Sequence, residues 1–223
     1  MKAQIRFEAS TWCSNLATNS AQAVRELFGL NATLLYPDQM FSQIFAEAQA
    51  KASQCPYRLG GPTNIPLLYT LTEYTQVQLA IETGVAYGWS TLIILLSLRN
   101  RSNSKLISVD KPYEKYHNES WVGVVVPKNL QDKWSLLRMP DRDGLPTALQ
   151  AFPFIDLAHY DSDKTHQGRL WAYNLIWPSL RQGGILISDD VGDNFGFREF
   201  CAQVGKQPII VADGKKFQGV LVK

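Results

Sequence analysis

Leu79-Ala-Ile-Glu-Thr-Gly-Val-Ala-Tyr-Gly-Trp-Ser-Thr91, followed by Leu92-Ile-Ile-Leu-Leu-Ser-Leu98, is the most informative segment of the chain. A short apolar run ends on Glu82, two glycines follow, and an unbroken apolar segment comes next, so the order is strand, tight turn, buried helix. Gly84 and Gly88 let the backbone turn sharply and leave no side chain between it and a ligand. Ser90 and Thr91 are expected to cap the helix, whose unpaired N–H groups would face the turn. Dinucleotide-binding folds also place glycines here, but Ala86 stands where their middle glycine belongs and Thr91 where a third would fall.

Outward from this turn, Lys105-Leu-Ile-Ser-Val109 reads as a second strand ending on Asp110. An acidic residue about twenty positions past the glycine turn is where nucleotide-cofactor folds hold ribose hydroxyls. Trp134-Ser-Leu-Leu137 is a short third strand, and Asp141 after it is expected near an adenine. Phe154 to Ala158 starts a fourth strand that runs into a polar cluster from His159 to His166, and a helix over residues 167–180 follows. Gln182-Gly-Gly184 is expected to stop that helix, with Ile185-Leu-Ile-Ser188 a fifth strand ending on Asp189-Asp190. Residues 208–211 and 219–222 are two final strands. The link between them is too short for a parallel crossover, which makes them an antiparallel pair.

Ahead of the turn, residues 20–52 show two amphipathic helices around a loop at 31–37. Cys55 to Pro66, rich in proline and glycine, reads as a connection, and 67–76 as a helix leading into the first strand. Pro112 to Asp132 has no readable period beyond an apolar run at 121–127 and a helical stretch at 128–134. The domain reading is a helical cap over 1–65 and a core over 66–223, forming one structural domain.

The 223 residues suffice for one α/β domain with a sizeable core. Twenty-two basic and twenty acidic residues leave no field that would gather nucleic acid or an anionic membrane. Three widely spaced cysteines, Cys13, Cys55 and Cys201, make no disulfide framework or zinc pattern, in keeping with a reducing cytoplasm. No apolar run is long enough to span a bilayer.

Glu82-x-Gly84-x-x-x-Gly88-x-Ser90-Thr91 resembles the first motif of class I S-adenosylmethionine-dependent methyltransferases. The stretch His159-Tyr-Asp-Ser-Asp-Lys-Thr-His-Gln-Gly168, the later Leu180-Arg-Gln-Gly-Gly184 and Ser188-Asp-Asp190 resemble elements of metal-dependent small-molecule O-methyltransferases. That group includes sugar and macrolide enzymes of natural-product pathways and, more distantly, catechol O-methyltransferase. The resemblance covers most of residues 60–223. It implies a Rossmann-like, seven-stranded, mainly parallel sheet with an antiparallel last strand. It also implies cofactor contacts from Glu82, Gly84, Tyr87, Gly88, Ser90, Asp110, Asp141 and Asp161.

By the same resemblance Asp161, Asp189 and Asp190 would hold Mg²⁺ or another hard divalent ion. Carboxylates at the ends of neighbouring strands can meet at one point, and oxygen-only ligation suits such ions. Asp163 and Lys164 are the candidates for the base that deprotonates a hydroxyl acceptor. Lys164 stands where the sugar-modifying relatives have histidine, and His166 lies one helical turn further on. The function expected is metal-assisted methyl transfer to a small-molecule hydroxyl, with a homo-oligomer possible. The rivals are a nicotinamide-dependent oxidoreductase and a non-catalytic cofactor-binding module.

Overall fold

In the computed structural model, residues 2–112 and 119–223 are described. The elements run α1 (Lys2–Leu16), β1 (Ala17–Thr18), α2 (Ser20–Phe28), α3 (Pro37–Met40), α4 (Ser42–Ser53), α5 (Ile65–Tyr74), β2 (Leu79–Thr83), α6 (Trp89–Leu98), β3 (Lys105–Val109), β4 (Trp134–Leu137), α7 (Asp141–Ala151), β5 (Ile155–Tyr160), α8 (His166–Ile176), β6 (Leu180–Ser188), α9 (Gly196–Gln203), β7 (Ile209–Asp213) and β8 (Lys216–Val222).

Among the described residues the strands form one sheet in the order β1-β7-β8-β6-β5-β2-β3-β4. All neighbours are parallel except β8, which lies antiparallel between β6 and β7. The seven strands read from the sequence are joined by an eighth, β1, whose two residues pair with Ile210 and Val211. A strand that short carries no alternation to read. Chain order reverses at β2, which has β3 on one side and β5 on the other, and a crevice opens at such a switch point beyond the carboxyl ends of the strands.

Helices cover both faces. One core cluster joins Val24, Ala48, Leu67, Leu71 and Leu92–Leu96 to the sheet, and the other joins Cys13, Leu145, Tyr173, Ile176, Phe197 and Phe200. Helix α6 is buried on every side, so it is apolar throughout and carries no amphipathic stripe. Among the described residues no helix is long and apolar enough to cross a membrane.

Four local expectations need correction. Helix α1 precedes the helical region read from sequence; it buries only Ala9 and Cys13 and leaves Ile5, Phe7 and Leu16 exposed, so no apolar stripe marks it. Ser90 and Thr91 do not cap α6: Gly88, left-handed at φ 93°, is the residue before it, and the Thr91 hydroxyl donates to Glu82 Oε2 at 2.6 Å. Gln182-Gly-Gly184 lies inside β6 and does not end α8. That helix stops at Ile176, where Trp177-Pro178-Ser179 tightens to a 3-10 turn because proline cannot donate within a helix. Strands β7 and β8 are longer than read, closing as a hairpin with Asp213 opposite Lys216.

Candidate active site

A cavity of about 920 Å³ opens over the glycine turn, at the switch point. Gly84, Val85, Ala86, Tyr87 and Ser90 form its floor, and Asp110, Asp141 and Asp161 to Lys164 line its flank, where Ser162 joins Asp141. Residues Pro56 to Gly61 and Thr63 form a further wall. Tyr87 ties that wall down: its hydroxyl donates to the Tyr57 carbonyl at 2.7 Å and accepts from the Leu59 N–H at 3.3 Å.

The floor is shaped by close backbone packing. A methyl group on Gly84, which sits at φ 81°, would lie 2.3 Å from the Asp161 carbonyl oxygen, so only glycine lets β2 and the end of β5 approach this closely. Asp110 braces the turn, its Oδ2 accepting from the N–H groups of Val85 at 2.7 Å and Ala86 at 3.0 Å. Its Oδ1 pairs with Arg138 at 2.8 Å, and Arg138 also holds Glu119. A carboxylate has about four acceptor positions, so Asp110 keeps capacity for one further donor.

Glu82 faces away from the cavity. It is fully buried, and its Oε2 accepts from Thr91 and Ser108, each at 2.6 Å. In this geometry it holds β2, β3 and α6 together behind the floor, which departs from the direct cofactor contact expected of it. Gly88 likewise lies behind the lining and packs on Gly123. Asp141 does face the cavity. Burial pushes its carboxyl above the ordinary range, against the pull of Ser162, whose Oγ lies 2.5 Å away.

The acidic edge differs most from expectation. Asp161 Oδ1 is 2.8 Å from the ammonium of Lys164, which also pairs with Asp190 Oδ2. Lys216 reaches Asp190 Oδ1 at 3.3 Å. Asp189 is turned inward: its Oδ1 accepts from Gln218 at 2.5 Å and lies 3.5 Å from Nε2 of the buried His159. The other ring nitrogen of His159 faces Glu82 at 3.8 Å. Burial alone would lower this imidazole, but Asp189 and Glu82 outweigh it and hold it up at about 10. Burial likewise opposes the Lys164 ammonium, and Asp161 and Asp190 more than restore it, so its pKa lies above that of an ordinary lysine.

A hard divalent ion needs several oxygen donors converging on one point. Among the described residues no three acidic, histidine or cysteine side chains gather that way. Asp161 and Asp190 share a lysine, Asp189 is committed to Gln218 and His159, and neither Asp189 nor Asp190 lines the cavity. The expected Mg²⁺ set of Asp161, Asp189 and Asp190 therefore does not fit a metal as these residues stand.

Of the candidate bases, Asp163 and Lys164 both line the cavity. The Asp163 carboxylate folds over the start of α8, accepting from the Thr165 N–H at 2.9 Å, and Gly168 leaves the room it needs. His166 is held outside the lining by Glu199 at 2.7 Å. The sequence reading missed Arg138, Lys216, Gln218 and above all Arg169. Arg169 is a lone charge among the apolar positions of α8, and that oddity is the one sequence signal that could have exposed it.

The family model described as a methyltransferase domain matches residues 81–191. Among curated proteins none matches the chain. An O-methyltransferase from Bacillus cereus, solved in complex with SAH, superposes with a TM-score of 0.62 at 17% identity, covering 95% of this chain and 100% of that one. A methyltransferase from Geobacter sulfurreducens gives 0.63 at 17% identity, covering 81% and 90%. The O-methyltransferase TomG from Streptomyces achromogenes, involved in tomaymycin synthesis and solved with SAM, gives 0.56 at 17% identity, covering 94% and 98%. At such identities the likeness is one of fold.

Proposed function

This chain belongs to the methyltransferase family, and we propose that it moves a methyl group from S-adenosylmethionine to a hydroxyl oxygen of a small molecule. The observation that carries the reading is the shared cavity, which has the glycine turn as floor and the Asp163-Lys164 pair in its flank. Its size is in the range of small-molecule sites. The cofactor supplies an electrophilic methyl on a sulfonium centre.

The residues present suit that cofactor. Gly84 to Ala86 allow close approach to bare backbone, Asp110 has one acceptor position left for a ribose hydroxyl, and Asp141 stands at the flank expected for adenine. At the acceptor end, Lys164 is held protonated between two carboxylates and so acts as a hydrogen-bond donor to the acceptor oxygen. The proton of the hydroxyl then passes to Asp163. The oxygen–carbon bond forms as the carbon–sulfur bond breaks, and sulfur keeps the electron pair. Holding both reactants in one cavity supplies much of the acceleration.

The test is transfer of a labelled methyl group to a panel of phenolic, sugar and polyketide hydroxyls, alongside calorimetric titration with S-adenosylhomocysteine and with NAD. Binding of the first but not the second, with label in an ether product, is the expected result. Binding of NAD alone would return the oxidoreductase reading. Cofactor binding with no transfer to any acceptor would favour a non-catalytic module.

A further inference from the structure

We propose that this chain does its chemistry without a divalent cation: Lys164, clamped between Asp161 and Asp190 and backed by Lys216, brings to the acceptor edge the positive charge a hard metal ion would supply. The inference rests on the methyl-transfer reading for the identity of the acceptor, but its geometric basis is independent of that reading.

Three carboxylates end β5 and β6 here, and each already has a basic partner. Asp161 has Lys164 at 2.8 Å, Asp190 has Lys164 and Lys216, and Asp189 has His159 at 3.5 Å together with the amide of Gln218 at 2.5 Å. A dication entering this edge would have to displace Lys164 from both its partners while remaining within a few ångströms of it. Like charges at that separation repel strongly where water is partly excluded. It would also have to pull Asp189 away from Gln218, leaving that amide's donor unpaired in a buried place, and take from the His159 ring a facing carboxylate.

The backbone resists such a rearrangement. Asp190 is in the left-handed region at φ 53°, and Arg169 fixes the carbonyl oxygens of Asp189 and Asp190 from behind, at 3.0 and 2.9 Å. An ammonium has three N–H donors; one of those on Lys164 is hydrogen-bonded to Asp190, and the charge also faces Asp161 Oδ1 at 2.8 Å. Lys164 lines the cavity, so a further donor of the ammonium can meet an acceptor oxygen. Hydrogen bonding from a fixed cation lowers the cost of the negative charge that grows on that oxygen, which is the task otherwise given to a bound metal.

The experiment titrates Mn²⁺ into the metal-stripped full chain, saturated with S-adenosylhomocysteine, and follows free Mn²⁺ by electron paramagnetic resonance. The wild type is expected to leave the signal of free Mn²⁺ undiminished. Lys164→Met, which opens the Asp161–Asp190 pair, is expected to bind Mn²⁺ at least about tenfold more tightly than the wild type. Lys164→Gln serves if circular dichroism shows the methionine variant unfolded. Saturable binding of one Mn²⁺ by the wild type overturns the proposal, and so does a folded Lys164 variant that binds no better than the wild type. The heat of S-adenosylhomocysteine binding, read on the same samples, separates failure of the methyl-transfer reading from failure of this one.

Discussion

Arg169 Nη1 donates to the carbonyl oxygen of Asp189 at 3.0 Å from a position on α8 that is almost wholly buried. The same guanidinium reaches the Asp190 carbonyl at 2.9 Å, and Ser188 Oγ and the Tyr173 hydroxyl at 3.0 Å each. One side chain thus sets where the turn after β6 begins. Arg169→Met keeps the length of the side chain but leaves several buried acceptors without a donor. We expect it to lower stability by about 3 kcal/mol or more, read from urea unfolding. A loss below about 1 kcal/mol would mean that the carbonyls find other donors.

Asp110 carries two loads, bracing the glycine turn and facing the cavity. Asp110→Ala should weaken S-adenosylhomocysteine binding about tenfold or more, since a hydrogen bond to a charged group is worth about 1.5–3 kcal/mol. Calorimetric titration checks this, and an unchanged affinity removes Asp110 from the ribose role.

Gly84 and Gly205 both have positive φ, at 81° and 64°, but only Gly84 faces backbone, whereas a methyl group on Gly205 would meet nothing within 4 Å. Gly84→Ala should therefore cost about 3 kcal/mol or more through strain and overlap together. Gly205→Ala should cost about 1 kcal/mol from backbone conformation alone. Urea midpoints of the two variants decide the point, and equal losses would show that the Asp161 carbonyl can give way.

Burial raises the Asp141 carboxyl, so the folded chain binds its proton more tightly than the unfolded chain does. Stability then falls as pH rises from the ordinary carboxylate range through the raised value, and the cost persists above it. Asp141→Asn is expected to be more stable than wild type near neutrality, with the gap closing as the pH falls towards about 4. Unfolding midpoints across that range test it. A gap independent of pH would assign the effect to hydrogen bonding to Ser162.

Much of the fold was legible because β2, α6, β3 and β5 are local statements: an apolar run of the right length, a glycine turn, an acidic stop. The antiparallel β8 was legible from chain length alone. Helix α1 was not, because the only residues it buries fully are two small ones, and β1 was not, because two residues have no period. At the site, the sequence brought Asp110, Asp141, Asp161, Asp163 and Lys164 to one cavity. It could not say which acids would be spent on neighbouring bases. Lys216 approaches Asp190 across 26 positions and Gln218 approaches Asp189 across 29, from a strand whose register no short motif encodes.

The placement of β8 between β6 and β7 also bears on how the molecule is made. During synthesis every strand from β1 to β7 leaves the ribosome before the one that fills the gap, so β6 and β7 both wait with open edges. Only when residues 216–222 emerge can the sheet become continuous, and the same event delivers Lys216 to Asp190 and Gln218 to Asp189. The acidic edge of the cavity therefore acquires its charge balance only after every other strand of the sheet has emerged, and a nascent chain short of β8 would hold the glycine turn but not a finished acceptor site.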